Sequence, residues 1–187
     1  MAKVISFEER AVARLRDRLG AAESANEDLV AFARGHSGAT TAIHRAALAL
    51  MDAEGIDGLF RAVTRDWPVL LGLDHAVLVL VADGRGFRVE AGHVGTVEPR
   101  IVDRAIARLD AVTMRTVDCG HPLFGAGARD IRSEALILLE AEAPLPYGLL
   151  LLGQQQSTSL DNRHGAQLLG FLGASLGAML RRCLTQS

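Results

Sequence analysis

The sequence predicts an α+β fold: an antiparallel sheet flanked by helices, preceded by an N-terminal helical extension. Three observations carry this. Two pairs of apolar runs are joined by short turn-type connections. Asp74–Asp83 meets Phe87–Gly92 across "DGRG", and Ser133–Leu139 meets Tyr147–Gly153 across Glu140–Pro146, as hairpins do. Helical stripes stand near both chain ends, so helices from each can cover one face of the sheet. Finally, the 187 residues are 49% hydrophobic and 22% charged but only 4% aromatic. That balance supports a core rich in helices and excludes wholesale disorder.

Ser6–Arg34 reads as one helix, with Ser6 three residues before Glu9 in the spacing of a capping box. A heptad places Val12, Leu19, Asn26 and Ala33 at a, and Leu15, Ala22 and Leu29 at d. Asn26 at a favours an in-register dimer, and Arg18 at g would face Glu23 at the partner's e. So marginal a helix is ordinarily stabilised by a second surface. Residues 1–38 are therefore expected to be a coiled-coil or dimerisation segment, and 39–187 the main domain. The competing reading is an amphipathic helix packed on its own domain.

Ile43, Ala46, Ala47, Leu50 and Met51 form the stripe of the next helix. Leu59, Val63 and Trp67 form that of a third over Ile56–Leu71, where Pro68 predicts a kink or early stop. Asp74–Asp83 is nearly all apolar, as in a strand covered on both faces, whereas Phe87–Gly92 alternates as a half-exposed partner. Pro99 suits the first turn of a helix with Ile101, Val102, Ala105, Ile106 and Leu109 as its buried stripe. Val112–Asp118 is a short alternating strand, and "CGHPLFGAGARD" reads as loop or loop with a short helical turn. Leu168, Leu169, Leu172, Leu176, Met179 and Leu180 line a final helix that ends near Arg181 and Arg182. A homodimer is expected to use Val12, Leu15, Leu19, Asn26 and Leu29 of the first helix with Leu172, Leu176 and Met179 of the last.

A net charge of -2 and a pI near 6.3 give no global attraction to nucleic acid or an anionic membrane. No run reaches the roughly 18 apolar residues of a spanning helix. "MAKVISFEER" turns charged at once, unlike a secretory leader, so a cytoplasmic location is expected. Arg10, Arg14, Arg16 and Arg18 are interleaved with Glu8, Glu9, Asp17 and Glu23, a salt-bridged face rather than a nucleic-acid patch.

Glu140 and Glu142 adjoin a proline-rich turn and read as solvated rather than as an acid/base pair. "GRG" at Gly84–Gly86 and "GAG" at Gly125–Gly127 lack the strand and helix context of nucleotide loops. Cys119-Gly120-His121 is the triplet most suggestive of chemistry, yet no further ligands stand at metal-site spacing and Cys183 is distant.

Seven strings carry a resemblance: "SFEERAVARLRDRL" (Ser6–Leu19), "IHRAALALMDA" (Ile43–Ala53), "DGLFRAV" (Asp57–Val63), "MRTVD" (Met114–Asp118), "LFGAGARDIRSEALILL" (Leu123–Leu139), "YGLLLLG" (Tyr147–Gly153) and "GAQLLGFLGASLGAMLRRCL" (Gly165–Leu184). Together they resemble the bacterial DUF484 family, whose members are GAF-like proteins of unknown function. Their order and spacing carry the likeness across nearly the whole chain. The resemblance implies a GAF-like sheet with a helical extension, often dimeric through terminal helices. It supplies no reaction and no cofactor. GAF domains as a class bind cyclic nucleotides, tetrapyrroles or metabolites, or serve only as dimerisation platforms. In bilin-binding members a cysteine usually adjoins a histidine, whereas Gly120 intervenes here; the cysteine cluster of the methionine sulfoxide reductases is likewise missing.

In a GAF-like arrangement the strand around Arg115 and the following loop border the ligand cavity. Arg115, His121, Arg129, Arg132 and Ser133 are then candidate ligand residues, since arginine forks suit carboxylate or phosphate. The bland alternative pairs these arginines with Asp118 or Asp130. Three readings follow. The first is a non-enzymatic regulatory or interaction domain acting as a homodimer. The second is a sensor of an anionic metabolite or nucleotide with a pocket around Arg115 and Arg132. The third is a thiol enzyme using Cys119 and His121.

Overall fold

The computed structural model describes residues 38–139, 146–157 and 163–185. The expected first helix, with Val12, Leu15, Leu19, Asn26 and Leu29, lies outside the described residues, as do Glu140 and Glu142. The unit set out below belongs to Thr41–Ser187. Its fold is α+β, a six-stranded antiparallel sheet in the order β3-β2-β1-β6-β5-β4 with helices on both faces.

Helix α1 (residues 38–51) is followed by α2 (Gly55–Arg61), which runs through a π-helical turn (Ala62–Asp66) into α3 (Trp67–Leu71). The expected single helix is interrupted one turn before Pro68, because the proline has no N–H to offer the Thr64 carbonyl. The Trp67 indole locks the first of these helices to the last by donating to the Ala46 carbonyl at 2.9 Å.

β1 (His75–Ala82) and β2 (Arg85–Glu90) meet through Asp83-Gly84, both at positive φ, a two-residue turn whose twist suits a hairpin. A strand absent from the expected order follows, β3 (His93–Val97), turned by Ala91-Gly92 at φ 48 and 79. The sequence conceals it because every side chain but Val97 is exposed, leaving no apolar alternation to read. Then α4 (Pro99–Ile106) leads to β4 (Val112–Thr116), a 3-10 segment (Pro122–Asp130), β5 (Ser133–Leu139), β6 (Tyr147–Gln154) and α5 (Arg163–Thr185). Among the described residues no helix is long and apolar enough to cross a membrane.

The β5–β6 hairpin is as expected, with Ser133 opposite Gln154 and Leu139 opposite Gly148. It fills the middle of the sheet, for β6 pairs with β1 on its other side. Strands β1, β5 and β6 are therefore covered on both faces. One face carries Leu78, Leu80, Ile137 and Leu150 against Leu50, Leu59 and Trp67 and against Leu172, Leu176 and Leu180 of α5. The other carries Val77, Val79, Leu136, Leu149 and Leu151 under Val102 of α4 and Leu123, Phe124 and Ile131. On α4 the expected stripe narrows: Ile101 is exposed, and Leu109 lies beyond the end of the helix.

Two expected dimer contacts need correcting. Leu172 and Leu176 are fully buried in the core of their own chain, because the α5 stripe that includes them faces the sheet. Met179 is partly buried against that same core. Exposed apolar side chains lie elsewhere, including Leu48 and Met51 on α1 and Phe171 on α5.

Candidate functional site

The segment from the end of β4 to the start of β5 holds all five candidate ligand residues. Its ends are tied by backbone bonds, Val117 N–H to the Arg132 carbonyl at 2.9 Å and Gly120 N–H to the Ala128 carbonyl at 2.8 Å. Gly120 is buried, and a Cβ there would lie 2.9 Å from Ile131 Cβ, so the loop closes tightly over that side chain.

At the centre stands Glu134, a carboxylate with 0% side-chain exposure. Its Oε1 accepts from Arg115 Nε at 2.7 Å and its Oε2 from the His121 backbone N–H at 2.6 Å. The register sets Arg115 directly opposite Glu134. The arginine therefore does have an acidic partner, but on the neighbouring strand rather than at Asp118 or Asp130. A buried carboxylate needs such a cation and donor to offset its lost hydration.

His121 begins the 3-10 segment, and its Nδ1 accepts from Leu123 N–H at 3.2 Å. That bond requires a bare Nδ1, hence a neutral ring with its proton on Nε2. Burial lowers the His121 pKa below its usual 6.5, Glu134 opposes the shift, and Arg115 adds to it. The unfolded chain thus takes up this proton at a higher pH than the folded one, and stability falls as the solution is acidified through and below 6.5. Thermal melts of wild type and His121→Asn, a non-titrating cap, should diverge over this window: wild type loses more Tm between pH 7.5 and 5. Parallel curves would show that this ring does not sense pH.

The other candidates are not brought together around Arg115. The exposed Arg132 donates from Nη1 to the carbonyls of Arg129 at 2.8 Å and Ile131 at 3.0 Å, while Arg129 itself is exposed. Ser133 is buried and donates to the Gln156 carbonyl at 3.0 Å. Strand alternation points it to the sheet face opposite Glu134. The exposed Cys119 directs its thiol at the Ala128 carbonyl, 3.4 Å away. Cys183 packs against the helix-covered core. Among the described residues no group of three or more His, Cys, Asp or Glu is placed to hold a metal ion.

A second anchor of the 3-10 segment escaped the sequence reading. Arg88 of β2 donates to the carbonyls of Leu123 and Phe124 at 2.8 and 2.7 Å, and pairs with Glu90 at 2.7 Å. Gly125, at φ 66, makes room, since a Cβ there would lie 2.6 Å from the guanidinium. Arg88, Glu90 and His75 share one sheet face, and with Asp74, Thr64 and His93 they line an open cleft of about 490 Å³. The His75 ring packs beside Gly127, and its Nε2 is buried without a hydrogen-bond partner among the described residues. Alternation in "FRVE" could have placed Arg88 and Glu90 side by side. Nothing in sequence could have brought His75 to them.

Compared with known proteins, the chain matches the family described as "Protein of unknown function, DUF484" over residues 1–184. No curated protein matches it. Solved structures of similar fold include the GAF domain of a putative sensor histidine kinase from Pseudomonas syringae pv. tomato, at 13% identity and TM-score 0.55, covering 82% of this chain and 94% of that one. A free methionine-R-sulfoxide reductase from Neisseria meningitidis, in complex with its substrate, gives 13% and 0.54, with 78% and 89% covered. The chromophore-binding domain of a bacteriophytochrome from R. palustris gives 11% and 0.53, with 78% and 62% covered. At these identities the likeness is one of fold, and that fold is GAF-like.

Proposed function

We propose that this chain, which belongs to the DUF484 family, is a non-enzymatic GAF-like regulatory or interaction domain that works as a homodimer through its terminal helices. One observation carries the reading. The sheet face beneath the 3-10 segment is filled by the chain's own side chains, with Phe124, Ile131, Leu136, Leu149 and Leu151 all fully buried. A face packed in this way is a rigid platform, and it favours output through surfaces over an enclosed ligand. The functional side chains nearby are committed to holding that platform: Arg115 to Glu134, Arg88 to two carbonyls, and His121 to a cap.

The dimer would use the first helix together with the exposed apolar residues of α1 and α5, chiefly Leu48 (56% exposed), Met51 (61%) and Phe171 (49%). Native mass spectrometry of the full chain should give twice its 19.9 kDa mass. Leu15→Glu/Leu19→Glu should shift the dissociation constant upward by at least about tenfold, the effect of roughly 1.4 kcal/mol. A wild-type monomer at all concentrations would end the dimer reading.

A small-molecule sensor is the second reading, favoured by the polar cleft beside Arg88, Glu90 and His75. The ligands named for the similar structures, a chromophore and a reductase substrate, lend it support. The expected pocket around Arg115 and Arg132 is less favoured, since Arg132 turns to the carbonyls of Arg129 and Ile131 and no cleft joins it to Arg115 among the described residues. A retained anion in the same mass spectra, lost in Arg88→Ala and kept in Arg132→Ala, would establish the sensor in this form.

A further inference from the structure

The β2–β3 hairpin is tied to the helices by its turn. Arg65 Nε of the π-helical turn donates to the Ala91 carbonyl at 2.9 Å, and Gly92 N–H donates to Thr64 Oγ1 at 2.9 Å. Two consecutive residues of the one thus hold two consecutive residues of the other. Thr64 Oγ1 also donates to the Phe60 carbonyl at 2.7 Å, so the hydroxyl is engaged in both directions. Gly92 is required at this contact, since its φ is 79 and a Cβ there would lie 2.9 Å from Arg65 Nε. Away from the turn β3 has little hold. It pairs with β2 alone, and Val97 at its far end is its one side chain packed on a core. β2, by contrast, is paired with β1 along its whole length.

Thr64, Ala91, His93 and Gly95 line the same cleft as His75. Two features of this closed arrangement cost free energy. Ala91 sits at φ 48, where a Cβ is crowded, and His75 Nε2 is buried without a hydrogen-bond partner among the described residues. The bonds from Thr64 and Arg65 offset these costs and keep the turn in place. We propose that the π-helical turn is a latch on the hairpin, whose release swings β3 about Val97 and opens the cleft to the His75 ring. β2 stays in the sheet as this happens, so Arg88 and Glu90 keep their places beneath the 3-10 segment. Such a role fits the π-helical turn, a form found most often at functional positions. The latch rests on the sensor reading, since it supplies the way into that cleft. Its test reads amides and one histidine rather than a retained ligand, so the two readings fail separately.

The test is amide exchange in the full chain. In wild type the β3 amides bonded to β2 should exchange at least about tenfold faster than those of β1 and β6, through an opening that spares the centre of the sheet. Thr64→Val keeps the shape of the side chain and removes both bonds of the hydroxyl. It should speed β3 exchange at least about tenfold further, while Thr64→Ser stays within about threefold of wild type. Ala91→Gly, which relieves the turn, should slow β3 exchange about threefold. Diethyl pyrocarbonate, followed by peptide mass, should acylate His75 at least about tenfold faster in Thr64→Val, with the exposed His44 unchanged. If Thr64→Val does not fold, Arg65→Ala at an exposed position serves instead and should speed the same amides about threefold. Wild-type β3 amides that exchange no faster than those of β1 would mean that the hairpin opens only with the whole domain. Unchanged β3 exchange in the variant would mean that it opens with the latch intact. Either result, or equal acylation of His75 in the two proteins, would overturn the inference.

Discussion

Gly148→Ala is expected to yield little or no folded protein. Gly148 sits on β6 between β1 and β5, opposite Leu80 and Leu139. A Cβ there would collide with the carbonyl oxygen of Val79 and approach Leu80 Cα to 3.0 Å. Both obstacles are backbone in the middle of the sheet, so no rotamer change relieves them. Moving β1 would unpack both faces at once, since Leu78 and Val79 belong to opposite cores. The cost should reach about 4 kcal/mol or more, close to the whole stability of a marginal domain. Gly177→Ala, with open space around its added methyl and a helical backbone, should instead gain roughly 0.5–1 kcal/mol. Chemical denaturation of the two variants checks both signs, and a cooperatively folded Gly148→Ala protein of wild-type stability would refute the collision.

Arg115→Ala should be the costliest change in the candidate site, at about 3 kcal/mol. The magnitude comes from Glu134 rather than from the arginine, whose side chain is 47% exposed while the carboxylate is 0% exposed. Removing the cation leaves a buried negative charge with only the His121 N–H as a partner among the described residues. Glu134→Gln preserves an acceptor for that N–H and should cost only about 1 kcal/mol. The double variant should then be no less stable than Arg115→Ala and close to Glu134→Gln, a coupling of roughly 3 kcal/mol. Equal and additive losses would mean that solvent, not Arg115, balances the carboxylate.

The distribution of what was legible follows from the range of the interactions. Hairpin β5–β6 and helix α5 were readable because their apolar periodicities are local and strong. Strand β3 was not, since it is an exposed edge whose turn is set from elsewhere. Ala91 adopts φ 48 where Arg65 Nε bonds its carbonyl and Gly92 N–H bonds Thr64 Oγ1. Both partners lie on the π-helical turn, 26 and 28 residues earlier in the chain. Arg115 and His121 stand in the candidate ligand set, yet Glu134, which bonds both of them, does not. Glu134 appeared as one polar residue in an otherwise apolar strand.

By itself the sequence determined the α+β class, the hairpins, the helical stripes and the likeness to the DUF484 family, because periodicity and turn chemistry act over a few residues. The tertiary structure alone decided the placement of the central hairpin, the filling of the second sheet face and the burial of Leu172 and Leu176. It also decided the Glu134 ion pair and the Arg88 anchor. Each of these depends on strand order and register, which bring distant residues into contact and set what must be buried, paired or left free.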